Sequence, residues 1–145
     1  MEIYSVRFNE RAAGAIVYLM REKPLYLVLH NRFGWDFPHG LIKEKETEAV
    51  AALREIYEET RLKVELIPGF EDRVIIRFSR GGRTIYKEIT MYLAKASSDS
   101  VKLSREHDDY AWLEYAEALK RLSRDEMRRV LIRANNFVKT LIRQT

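Results

Sequence analysis

The chain has 145 residues, 46% hydrophobic and 33% charged, with a formal net charge of +4, which suits a single domain over residues 1–145 with a real core. The absence of Cys excludes a disulfide framework, thiolate chemistry and thiolate metal sites. Apolar runs far short of a membrane span exclude a helical membrane protein.

The N-terminus, MEIYSVRFNE, lacks the basic and apolar regions of a signal peptide, so the expected location is cytoplasmic. Charge is unevenly spread. From Lys120 onward there are eight Lys/Arg against Asp125 and Glu126, a balance of +6, which leaves −2 for residues 1–119. Such a basic C-terminal segment is either a solvated helix face or a surface that attracts polyanions such as nucleic acid.

Residues 11–18 and 26–30 read as strands. Residues 33–40, FGWDFPHG, combine Gly, Pro and aromatics and read as an ordered loop. Ala49, Ala52, Leu53 and Ile56 recur at i, i+3, i+4 and i+7, which predicts a helix over 47–60 with that stripe buried. Residues 64–78 and 84–95 read as strands joined by SRGGR, where Gly81-Gly82 suits a hairpin turn. A short strand over 110–113 and a short helix over 116–121 follow, with Tyr110 and Trp112 as core or loop anchors. Ser123-x-x-Glu126 reads as a capping box. It opens a last helix with an apolar face of Val130, Leu131, Ala134, Phe137, Val138 and Leu141. This order predicts a mixed β-sheet sandwiched between helices, an α/β/α arrangement without repeats or linkers.

On the 47–60 helix, Glu55, Glu58 and Glu59 stand at i, i+3 and i+4 on an arc beside the apolar stripe, at about 100° per residue. Three carboxylates so close repel one another. Full solvation relieves this, and so does a cation. Mg²⁺ is bound by a few carboxylates together with substrate phosphates. Arg54, four residues before Glu58, can pair with a neighbouring carboxylate and hold its rotamer.

Residues 40–62, GLIKEKETEAVAALREIYEETRL, resemble the G-x5-E-x7-R-E-U-x-E-E-x-G-U box of the Nudix hydrolases, U being bulky and aliphatic. Gly40, Glu46, Arg54, Glu55, Ile56, Glu58, Glu59 and Leu62 match. Arg61 stands where the family has Gly. A left-handed conformation kept there with Arg costs about 1 kcal/mol; otherwise the turn differs. The resemblance implies the Nudix α/β/α fold and Mg²⁺, with Mn²⁺ as a substitute. It implies metal ligation by Glu55, Glu58, Glu59 and the backbone carbonyl of His39, with Arg54 as an orienting residue.

WDFPHG resembles the W-x-x-P-K-G segment of diadenosine polyphosphate hydrolases, with His39 in place of the usual Lys. That change keeps the carbonyl and weakens a side-chain phosphate contact. Residues 103–113, LSREHDDYAWL, resemble the L-S-x-E-H-x-x-Y-x-W-L segment of asymmetrical diadenosine tetraphosphate hydrolases. This second resemblance brings in Glu106 as metal ligand or general base, and His107 near phosphate. Lys87 becomes a polyphosphate contact where it would otherwise be an exposed strand-end residue. Phe137 becomes an aromatic that stacks on adenine where it would otherwise be core, with Phe78 as a candidate opposite face. Glu58 and Glu106 are the candidates for general base. The expected activity is hydrolysis of diadenosine tetraphosphate to ATP and AMP. Removal of pyrophosphate from RNA 5′ ends is the alternative enzyme reading, with a nucleoside triphosphatase behind it. A non-catalytic nucleotide-binding module fits less well, because the box carboxylates are all retained.

Overall fold

The structure, a computed structural model, describes residues 9–144. The segment MEIYSVRF, which carries most of the signal-peptide reading, lies outside the described residues. The elements run β1 (Glu10–Met20), β2 (Pro24–Asn31), β3 (Gly34–Asp36), β4 (His39–Leu41), α1 (Glu48–Thr60), β5 (Val64–Arg80), β6 (Arg83–Ala96), β7 (Asp109–Leu113), α2 (Tyr115–Arg121) and α3 (Asp125–Arg143). The strands form one seven-stranded mixed sheet in the order β3-β2-β1-β6-β5, with β4 paired to β1 and β7 to β2. β1 and β6 run parallel; the other pairs are antiparallel.

β1 explains why the sheet needs helices on both faces. Its side chains alternate with period two, yet both sets are buried. Ala12, Ile16 and Tyr18 enter one core, and Ala15, Val17 and Leu19 the other. On the first face lie Met127, Val130, Leu131, Ala134 and Val138 of α3. On the second lie Ile56 of α1 and the contact of Ala51 and Ala52 with Ala13. Each large side chain taken wholly from water, such as Leu131 or Ile56, contributes on the order of 1.5–3 kcal/mol. The expected α/β/α sandwich is the observed one. Among the described residues, no helix is long and apolar enough to cross a membrane.

Four local readings need correction. Leu53 is not buried with the stripe: it is 37% exposed, whereas Ala51, on another side of the helix, is buried. The Ala51–Ala52 pair lets α1 approach Ala13 closely, and a Leu would hold the two apart. Residues 33–40 are not a loop. The turn at Gly34 (φ 114°) folds β3 back on β2, pairing His30 with Trp35, and β4 then pairs with β1. Ser123 does not cap α3, whose N-cap is Arg124 with no side-chain cap bond. Its hydroxyl instead accepts the Trp35 N–H at 2.8 Å, and its own N–H donates to the Trp35 carbonyl at 3.1 Å. Two bonds that satisfy the outermost strand outweigh one cap bond. Tyr110 is 37% exposed. Trp112 is the anchor of the pair, donating its indole N–H to the Asp99 carbonyl at 3.1 Å.

Arg61 keeps the left-handed conformation expected of a Gly, with φ 62° and its N–H donating to the Tyr57 carbonyl at 2.8 Å. Its guanidinium lies 5.3 Å from the Tyr57 ring centroid, a contact that offsets part of the strain. Arg61→Gly is expected to raise the unfolding free energy by about 0.5–1 kcal/mol, read as a higher urea midpoint at unchanged slope. A lower midpoint would show that the stacking contact outweighs the backbone strain.

Candidate active site

α1 begins at Thr47, whose hydroxyl accepts the Val50 N–H at 3.2 Å. Its first long side chain toward β4 is Arg54, which is the hub of the acidic half of the site. Arg54 Nε and Nη2 reach the two oxygens of Glu46 at 2.5 and 2.8 Å. Nη1 donates to Glu55 Oε2 and Glu58 Oε1, each at 3.1 Å, and Nη2 donates to the Leu41 carbonyl at 3.0 Å. The sequence reading expected one carboxylate partner. It missed Glu46, whose place among the fixed positions of the box was the available signal. The Arg54 hydrogen bonds and the Lys43 N–H hold the Glu46 carboxyl down at about 2.

Glu59 is the unusual residue. It is 5% exposed and its Oε1 has no hydrogen-bond partner. Burial pushes its pKa up to about 9, helped by the charges of Glu55, Glu106 and Asp36 and opposed by the His39 N–H. Burial also raises Glu55; Arg54 works against that rise, while Glu58 and Glu106 add to it. A Cβ at Gly40 would fall on the Glu55 carboxylate, which gives the first position of the box a steric reason. Glu58 is different: its side chain is 49% exposed and turned to Arg54.

The segment carrying Glu106 is clamped to the end of α1. Lys102 N–H donates to the Thr60 carbonyl at 3.0 Å and Ser104 N–H to the Glu59 carbonyl at 3.2 Å. These bonds use helix-end carbonyls that have no partner within the helix. They deliver Glu106 and His107 to a cleft of about 170 Å³ also lined by Glu59, His39, Lys87 and Arg124. His39 Nδ1 donates to the Phe37 carbonyl at 2.9 Å, leaving Nε2 free of that bond. His107 Nδ1 is buried without a partner, and burial lowers its pKa, which favours a neutral ring.

Lys87 is half-buried, so it is no exposed strand-end residue. Burial lowers its pKa first, and the charges of Arg124 and Arg80 add to this. Its ammonium lies 5.5 Å from the Phe78 ring centroid. Phe78 therefore backs Lys87. The aromatic opposite Phe137 is Phe70, at 5.8 Å between centroids and 61° between planes. The cleft thus gathers Glu59, Glu106, His107, His39 and Lys87. Glu55 adjoins it electrostatically, and Glu58, Phe78 and Phe137 lie outside its lining.

Among the described residues, no group of three or more His, Asp or Glu side chains is already placed to enclose an ion. The donor set still suits a hard divalent cation. A buried carboxylate with an orphan oxygen, raised by burial and by three other carboxylates, is a group whose charge lacks a partner. Arg54 draws Glu55 and Glu58 toward itself, and substrate phosphates would supply the remaining oxygens.

The fold is a mixed sheet between helices, with carboxylates of α1 and Glu106 gathered in one cleft with Lys87 and Arg124. The NUDIX domain family model matches residues 9–134. A Caenorhabditis elegans relative named asymmetrical bis(5′-nucleosyl)-tetraphosphatase is 30% identical over 134 residues, covering 88% of this chain and 96% of that one. A Sus scrofa relative of the same name is 28% identical over 144 residues, covering 88% and 95%. The solved binary complex of a C. elegans Ap4A hydrolase superposes with a TM-score of 0.80 at 27% identity, covering 90% of this chain and 98% of that one. The chain belongs to the Nudix hydrolase family.

Proposed function

We propose that this protein is a metal-dependent hydrolase that cuts diadenosine tetraphosphate asymmetrically into ATP and AMP. The observation carrying this reading is the convergence of Glu59, Glu106 and Lys87 on one cleft, in a chain matched nearly end to end by relatives of that name. Glu55, Glu59 and Glu106, with Glu58 and the His39 carbonyl, would hold Mg²⁺ or Mn²⁺, which supplies charge neutralisation and activation of water.

Arg54 holds Glu55 and Glu58 beside the cleft through Nη1, and their carboxylates would turn from it to meet an ion. Glu106 lines the cleft and pairs with no Arg among the described residues, so its oxygens are open to a water, whereas a Glu58 oxygen already accepts from Arg54. Water attacks phosphorus in line, its proton passes to Glu106, and Lys87 offsets the charge on the departing nucleotide. Phe137, braced edge-to-face by Phe70, would offer one ring face to adenine.

Incubation with diadenosine tetraphosphate and Mg²⁺ is expected to give ATP plus AMP, and a chelator should abolish turnover. ADP as the only product would mean a symmetrical cut and overturn the reading. RNA 5′-end hydrolysis is the second reading, favoured by the basic α3. Arg133 and Arg128, however, pair with Asp72 and Asp125, each at 2.5 Å, which reduces the charge open to RNA.

A further inference from the structure

The wall of the cleft away from the box carboxylates carries two cations, of which sequence reading singled out only Lys87. The other is Arg124, half-buried at the N-cap of α3. It is held from behind, because Ser123 exchanges two hydrogen bonds with Trp35 of β3. Glu59 and Glu106 line the same cleft, but among the described residues neither pairs with Lys87 or Arg124, and three further carboxylates are engaged elsewhere. Asp125 takes Arg128, Glu10 takes Arg80 at 2.6 Å, and Asp36 Oδ1 accepts the Phe37 N–H at 2.7 Å. Glu10 and Asp36 act on Lys87 only through space. Among the described residues, neither Lys87 nor Arg124 has an ion-pair partner.

Two like charges half out of water in one cleft repel. The fold imposes this arrangement at β6 and at the start of α3. An anion with several oxygens relieves it: an Arg fork matches phosphate in two bonds, and a Lys adds a point charge.

We propose that Arg124 and Lys87 form a two-cation phosphate site that grips the phosphates remote from the reacting one, with Arg124 setting the preferred length of the phosphate chain. The assignment to a chain of phosphates rests on the function proposed above; the phosphate site itself does not.

The probe is inorganic tripolyphosphate, titrated into the metal-free full chain and followed by the fluorescence of Trp35, which lines the cleft. Arg124→Ala is expected to weaken binding by about 10- to 100-fold, the loss of one charge-assisted contact. Arg124→Lys, which keeps the charge without the fork, should fall between that variant and the parent. Arg129→Ala removes the same charge from an exposed position of α3 and should change binding by less than about threefold, since exposed charges are screened. In turnover of diadenosine tetraphosphate, Arg124→Ala should raise KM with kcat nearly unchanged. Parental tripolyphosphate affinity in both Arg124 variants overturns the proposal, whether or not diadenosine tetraphosphate is cleaved. Weakened binding in a protein inert toward diadenosine tetraphosphate supports the phosphate site and overturns the substrate reading instead.

Discussion

If Glu59 holds the metal as proposed, Glu59→Gln is expected to lower metal-dependent turnover by about 10³-fold or more, several kcal/mol of transition-state stabilisation. The same change should stabilise the metal-free protein at alkaline pH. In the folded chain Glu59 holds its proton to about pH 9, against an ordinary value of 4.5. Below the ordinary value both the folded and unfolded chains are protonated there, and the full benefit of the neutral group is present. As pH rises through the window, the unfolded chain releases the proton while the folded chain keeps it. Stability therefore falls, by at most about 1.4 kcal/mol per pH unit. A neutral Gln has no such slope, and a divalent cation should flatten that of the parent. Urea midpoints across this window, with and without chelator, give the comparison. Parallel pH profiles for parent and variant would show that Glu59 does not carry the proton.

Arg54→Ala should have the second largest effect, costing about 2–3 kcal/mol of stability because several oxygens lose a shared, partly buried partner. Turnover should drop with it, since Glu55 and Glu58 lose their positioning. Acid sensitivity should change as well. The Glu46 carboxyl is held at about 2 in the fold, so its contribution is present above its ordinary value and is lost as pH falls toward 2. In Arg54→Ala that acid-labile part disappears. Arg54→Lys should recover little, because one ammonium cannot bond both Glu46 oxygens while reaching Glu55, Glu58 and the Leu41 carbonyl. Thermal melts and kcat/KM on both variants check this. Full activity in Arg54→Lys would show that charge alone suffices.

The sandwich and the acidic helix were legible because their signals are periodic: alternation along β1, a 3.6-residue stripe on α1, and Gly81-Gly82 between β5 and β6. Spacing placed Leu53 on the stripe and left out Ala51, about 200° away around the helix, and only the packing of α1 against β1 shows that Ala51 is the buried one of the two. Nor did it show that Glu59 is buried while Glu58, one position away, is exposed. Ser123 carried a valid cap signal, but the competing partner was Trp35, 88 positions away. Phe70 was hidden for a related reason. β5 has a register irregularity between Leu66 and Glu71, with Gly69 at φ 98° facing Phe137, and no local pattern reports where a bulge turns the next side chain. Arg124 reads from sequence only as part of a basic segment, because its place in the cleft beside Lys87 is a property of the assembled fold.

The meeting of β4 with β1 sets where the entropy of ligand capture falls. His39 lies opposite Gly14, the Ala15 N–H donates to the Pro38 carbonyl at 3.2 Å, and a Cβ at Gly14 would overlap both Pro38 and His39. That wall cannot shift without breaking the sheet, so the His39 carbonyl is already ordered before anything binds. A ligand that meets it gives up its own freedom but takes almost none from the protein. The freedom lost on capture is therefore concentrated in the long side chains across the cleft, above all Lys87 and Arg124.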